Sequence, residues 1–261
     1  WSSGVCSSDL KKFNFKITNM NYLIFIETMK VPEDGTGFTF WLGAMAMMAA
    51  SVFFFLSMNN VDAKWRTSLL VSGLITFIAA VHYMYMRDAH AADLNTTVFR
   101  YVDWILTVPL MCVEFYLILK VAGATKSDMW KLIGASTLML VTGFFGESGW
   151  DNGALSPAVW GALSGAAYFW IAYEVWLGSL RKLAEAAGGN VLAAHKMLCW
   201  FLLVGWAIYP VGYMAGTDGW YGATDLLFGM KLNMEVIYNI GDAVNKIGFG
   251  LVVYSLAVKE S

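Results

Sequence analysis

Seven stretches of this chain, at 37–58, 65–87, 98–120, 127–146, 155–180, 190–214 and 231–257, are each apolar and long enough to cross a bilayer. At about 1.5 Å of rise per helical residue, roughly 20 residues span the ~30 Å of hydrocarbon. A backbone in lipid must satisfy its own hydrogen bonds, so such stretches are helices unless strands close into a barrel. Strand-like alternation is absent, which disfavours the barrel. Composition agrees: 58% of the residues are hydrophobic and 14% charged, against about 25% charged in an average soluble domain. The connections "MNNVD", "GATKSD", "GESGWDNGALSP" and "EAAGGN" are short and rich in breakers, so successive helices lie antiparallel and adjacent. The expected fold is an all-α membrane protein, a seven-transmembrane-helix bundle forming one domain over 37–261, preceded by an N-terminal segment over 1–36. No linker divides it, and no internal repeat suggests inverted halves.

Net charge is −2, which gives no reason to expect nucleic acid as a partner. Its distribution is more informative. Lys64, Arg66, Lys120, Lys126, Lys131, Arg181, Lys182, Lys196 and Lys259 fall on one side of the seven spans, and mostly acidic loops fall on the other. Basic loops stay in the cytoplasm, so the N-terminus is expected outside and the C-terminus inside the cell's inner (plasma) membrane. Lys11, Lys12 and Lys16 argue mildly the other way. Cys6, Cys112 and Cys199 are scattered without metal-ligand spacing and read as small apolar residues. "WSSGVCSSDL" reads as an artefactual scar, "NYLIFIETMKV" as a signal remnant too short to span, and "NTT" at 95–97 as a weak glycosylation match.

Against this apolar background, "RYVDWILTVPLMCVE" at 100–114 is anomalous. A charge at mid-bilayer costs at least about 2.5–3.5 kcal/mol, so ionisable residues there are candidate functional groups. Arg100, Asp103, Thr107, Met111 and Glu114 follow at spacings of 3, 4, 4 and 3, which places all five on one inward helical face. Asp103 and Glu114 are eleven residues apart, about 16 Å along the axis, and so occupy separate depths. Lys246 lies deep in the last span with Asp242 one turn before it. A structural ion pair is one reading of these two. The other is chemical, because a buried amine can condense with an aldehyde to form a Schiff base. Two carboxylates at different depths and a lysine between them suit a proton relay. His82 is a histidine inside a span, serving either as hydrogen-bonded packing or as the neighbour that tunes a carboxylate. Trp104, Trp206, Tyr209 and Tyr213 form an aromatic set that is either plain core or, converging on the lysine, a slot for a flat apolar ligand.

"FRYVDWILTVPL", "WAIYPVGY" and "DAVNKIGFGLVVYSLAVKES" closely resemble the third, sixth and seventh helices of the microbial rhodopsins, specifically the proteorhodopsin group of light-driven outward proton pumps. The resemblance covers about 37–260. It implies an ion transporter rather than an enzyme, with Lys246 carrying all-trans retinal as a protonated Schiff base. Asp103 would be the counter-ion and proton acceptor, Asp242 the second counter-ion, Arg100 the neighbouring cation and His82 the partner of Asp103. Asp103, Thr107 and Glu114 match the family's Asp–Thr–Glu pattern, making Glu114 the proton donor. Trp104, Trp206, Tyr209 and Tyr213 would line the polyene, Met111 would favour green absorption, and Glu147 matches a glutamate whose role stays open. A chloride pump would lack the carboxylate at 103, and a sodium pump would carry Asn–Asp–Gln along this face. In "VWGALSGAAYFW" small residues serve close helix packing or, at Gly161, a window for a carotenoid antenna. The resemblance also implies assembly in the lipid bilayer as a homo-pentamer or homo-hexamer. The alternatives are a sensory photoreceptor signalling to a partner, and a Schiff-base enzyme or transporter acting on a soluble molecule.

Overall fold

The computed structural model describes residues 34–150, 152–217 and 233–261, so the expectations placed on residues 1–33, including Cys6, and on most of the loop at 215–230 lie outside it. Among the described residues there are nine α-helices and no strand: α1 (Gly35–Ser57), α2 (Ala63–Ala91), α3 (Thr97–Leu119), α4 (Lys126–Ser148), α5 (Pro157–Trp176), α6 (Ser179–Ala187), α7 (Gly189–Trp200), α8 (Ile208–Gly216) and α9 (Met234–Lys259). Six of the resulting rods are long and apolar enough to cross a membrane: α1, α2, α3, α4, the α7–α8 rod and α9. The seventh is α5, with 20 residues, or about 30 Å. Successive rods pack side by side, and α9 closes the bundle by lying against α1 and α2.

Local chemistry explains where the helices begin. The Asp34 side chain accepts the Gly37 N–H at 2.6 Å and caps α1, chiefly through which its carboxyl is held below the usual carboxylate range. Thr125 and Asp128 form a reciprocal capping box on α4. Ser156 caps α5 with Pro157 in the first helical position, where a missing N–H costs nothing. Asn233 caps α9.

Two expected spans are interrupted. The fifth stops at Trp176, and Gly178 starts the short amphipathic α6 in place of continuous helix to 180. In the sixth, Phe201–Gly205 is a π-turn in which the Trp206 N–H reaches Phe201 O at 3.1 Å. The carbonyl freed at Gly205 accepts from the Asn245 side chain of α9 at 2.9 Å. π-bulges of this kind cluster at functional sites, and Asn245 is the neighbour of Lys246.

Polarity is distributed inside out relative to a water-soluble protein. Leu56, Phe77, Trp130, Phe169, Val204 and Val244 face outward, whereas Arg100, Asp103, Glu114, Asp242 and Lys246 are buried. An apolar exterior around buried charge is the arrangement that lipid demands. The chain is a multi-pass membrane protein. Helix approach at its centre depends on small residues. A Cβ on Gly250 of α9 would sit 2.5 Å from the Phe54 ring of α1. Gly250→Ala gains about 1 kcal/mol of helix propensity but overpacks this crossing by about 1–3 kcal/mol. Its thermal midpoint in detergent is expected to fall; an unchanged or higher midpoint would show that α1 and α9 are free to separate there.

Candidate functional site

The expected charges converge where α3 and α9 face each other. Lys246 Nζ donates to Asp103 Oδ2 at 2.8 Å and lies 3.1 Å from Asp242 Oδ2. Both carboxylates are wholly buried and the lysine is 3% exposed. Burial at this level is tolerated because the ions pair with one another: removing one partner of a buried pair typically costs about 3–5 kcal/mol.

The two carboxylates are held differently. Asp242 also accepts from Tyr83 Oη at 2.8 Å, from Trp104 Nε1 at 3.1 Å and from the Tyr209 hydroxyl. Its oxygens are fully engaged. Asp103 has Lys246 as its hydrogen-bond donor, and its Oδ1 has no partner. His82 Nδ1 is 3.9 Å from that oxygen, yet its N–H is directed to Ile78 O at 2.9 Å. His82 is therefore a neighbour of Asp103 without a hydrogen bond to it. Arg100 does not pair with Asp103 either. It donates to Asn239 Oδ1 at 3.2 Å and lies over the rings of Tyr238 and Phe40 at 5.1 and 5.7 Å. The Thr107 hydroxyl donates to Asp103 O at 2.9 Å, one turn back along α3.

Glu114 lies on the same α3 face, toward the opposite end. It is fully buried, its Oε1 accepts from Ser72 Oγ at 2.8 Å, and its Oε2 has no partner. Phe115 and Phe249, packed edge to face, belong to the surrounding apolar core. This is a single carboxyl group screened from solvent and poised against one hydroxyl. Glu147, whose role the sequence left open, accepts from Tyr101 Oη at 2.8 Å.

A cavity of about 710 Å³ lies among α3, α4, α5 and the α7–α8 rod, with Trp104 and Tyr209 between it and the ion cluster. Trp104 and Tyr209, both on the Asp242 carboxylate, form its inner wall, and Trp206, Tyr213, Met139 and Gly161 continue it. Met111 is buried in the core, but its register follows Thr107; Val108, one residue on, and Trp104 present α3 to the cavity. Trp104 and Tyr209, which wall the cavity and bond the Asp242 carboxylate beside Lys246, suit an elongated flat apolar group that would be attached at Lys246 Nζ, and the unpartnered Asp103 Oδ1 would be available to a proton-bearing nitrogen there. Among the described residues no group of three His, Cys, Asp or Glu could hold a metal ion.

Sequence reasoning missed Tyr83, Ser72, Asn239 and Asn245. Tyr83 adjoins His82 in "VHYMYMR", and nothing in that stretch separates it from an ordinary core aromatic. Ser72 in "LVSGL" carries no signal, since serines in membrane helices usually bond to their own backbone.

The sequence profile of the family described as bacteriorhodopsin-like protein matches residues 34–260. The chain is 44% identical over 237 residues to a green-light absorbing proteorhodopsin of Gamma-proteobacterium EBAC31A08, covering 88% of this chain and 89% of that one. Among solved structures, a blue light-absorbing proteorhodopsin from Med12 superposes with a TM-score of 0.71 at 38% identity, over 87% of this chain and 100% of the other. Xanthorhodopsin, described as a light-driven ion pump with dual chromophore, superposes with a TM-score of 0.72 at 30% identity, over 87% and 93%. With Lys246, Asp103 and Asp242 joined at the core of seven membrane-crossing rods, and with a family match over nearly the whole described chain, the protein belongs to the bacteriorhodopsin-like family.

Proposed function

We propose that this protein is a light-driven outward proton pump using all-trans retinal bound to Lys246. The observation that carries the reading is the Lys246 amine held between one fully engaged carboxylate, Asp242, and one with a free oxygen, Asp103. When bound as a protonated Schiff base, retinal supplies absorption of visible light and a change of shape that alters the setting of the Lys246 nitrogen. Asp103 takes up a proton at its carboxylate, Asp242 stays as the fixed anion, and Arg100 keeps the buried charge balanced. Glu114, fully buried and bonded to Ser72, returns a proton from the other side. The separation of acceptor and donor along α3 gives the transfer its direction.

Orientation follows from the loops. Lys64, Lys120, Lys126 and Arg181 lie at the Glu114 end, and Asp88, Asp93 and Glu235 at the Arg100 end. The Glu114 end then faces the cytoplasm, and net movement of the proton is outward. The proteorhodopsin relatives support this assignment. Gly161 lines the cavity while Ala162 and Ala166 of the same helix are exposed to lipid. A carotenoid antenna seated on α5 at this opening is part of the proposal.

Lys246→Ala is expected to abolish the visible band after addition of retinal; a band that survives would mean attachment elsewhere. Glu114→Gln is expected to retain colour and slow the reprotonation phase after a flash by about 10²-fold, the lower range for loss of a positioned acid. An unchanged phase would assign the donor to another group. Sodium azide, a small diffusible acid, should restore the rate in the variant.

A further inference from the structure

His195 is a titratable side chain wholly buried in the half of the bundle that holds Glu114, and the proposed transfer does not use it. Its Nε2 lies 2.8 Å from Val175 O, and a carbonyl only accepts, so Nε2 carries a hydrogen and donates it. Val175 is one residue from the end of α5, where a helix leaves its carbonyls without internal partners. Cys199 Sγ, 3.4 Å from the same oxygen and 3.4 Å from Nε2, supplies a second donor. Stapling α7 to α5 therefore needs one ring nitrogen at most. The other, Nδ1, is buried without a partner, at a cost of about 1–3 kcal/mol that the staple does not explain.

The imidazole sits level with the Glu114 carboxyl. α3 ends and α7 begins on the lysine-rich side of the bundle, and both residues lie about 8–9 Å in from that end. Phe115, the residue after Glu114, packs its ring edge to face on the imidazole with centroids 5.7 Å apart. Each of the two groups has one unpartnered polar atom, Glu114 Oε2 and His195 Nδ1. On the cytoplasmic side α6 packs against α7, burying Leu180 and Ala184. The Arg181–Glu185 pair of α6, bonded at 2.7 Å, acts electrostatically on His195. The other charged groups of α5, α6 and α7 are Glu174, Lys182 and Lys196, of which the two lysines are exposed. From α9, Phe249 and Val253 belong to the same apolar core as Phe115, Val175 and Cys199.

We infer that His195 takes up a proton from the cytoplasm and delivers it to Glu114 after Glu114 has given its own away. The inference rests on the outward-pump reading with Glu114 as donor. While Glu114 is protonated it needs no second acid, and its carboxyl is turned to Ser72. Once ionised, it is a buried anion level with the imidazole, and it favours a cation there. A proton from water then bonds to Nδ1, and the imidazolium keeps its Nε2–H on Val175 O at the C-terminal end of α5, where the helix dipole favours positive charge. The Nδ1–H bond breaks as the proton passes over water to a Glu114 oxygen, and the lone pair returns to Nδ1. No other bond is made or broken.

The test uses the retinal-loaded protein in nanodiscs, a pH-indicator dye in the medium and a single flash. In the wild-type protein the dye is expected to report proton uptake after the reprotonation phase of the chromophore. His195→Gln keeps an amide N–H for Val175 O and cannot carry a proton. It should leave the reprotonation phase unchanged and slow uptake by about 10²-fold, with sodium azide restoring the rate. Uptake at the wild-type rate overturns the inference, and so does equal slowing of both phases, which marks a packing role. No light-driven proton movement in either protein overturns the pump reading and this inference with it. A second readout needs no variant of His195. Solid-state ¹⁵N spectra of histidine-labelled wild-type protein held under illumination should show one ring gaining a proton at Nδ1 while its Nε2 stays protonated, and Glu114→Gln should abolish that gain. A gain absent from the wild-type protein, or one that persists in Glu114→Gln, overturns the inference whatever the flash data show.

Discussion

The Lys246 ammonium, 2.8 Å from Asp103 and 3.1 Å from Asp242 inside an apolar bundle, is the interaction on which the rest of the molecule depends. A lone charge at that depth would cost at least about 2.5–3.5 kcal/mol, and leaving any one of these groups unpartnered would cost more. The bundle meets the demand by bringing α3 and α9 face to face and surrounding Asp242 with Tyr83, Trp104 and Tyr209. Those hydrogen bonds do two things. They occupy the oxygens of Asp242, and they leave Asp103 with one oxygen unpartnered. In the proposed pump, this asymmetry between two chemically identical side chains would let the ion cluster act as a transfer device.

The same framework sets the ligand cavity. Trp104 and Tyr209 bond to Asp242 and also form the inner wall, so the residues that hold the anion hold the shape of the slot. The π-turn at Phe201–Gly205 offsets Trp206 and Tyr209 within their rod, and Asn245 ties the freed carbonyl to the residue beside Lys246. Sixth and seventh crossings are thereby joined beside Lys246. A side chain on Gly205 would collide with the Asn245 amide, which explains why the carbonyl can come so close.

Much of this was legible from residue order. Seven apolar stretches, short connections and five residues at 3–4–4–3 spacing, four of them polar, specify a bundle with a charged inner face, and the structure brings Lys246, Asp103 and Asp242 together there. The illegible part has a physical cause in each case. Whether Asp103 pairs with Arg100 or with Lys246 depends on rotation between helices, which periodicity does not report. The π-turn leaves no mark in "FLLVG", because it arises from a partner on another helix. Tyr83 and Ser72 are ordinary residue types whose value comes from a carboxylate more than 40 positions away.

The most direct measurement is the pH of an unbuffered suspension of cells expressing this protein with added retinal, followed during illumination with and without a protonophore. The account predicts acidification of the medium in the light, abolished by the protonophore. Coloured cells that leave the pH unchanged, or that make the medium alkaline, would contradict it.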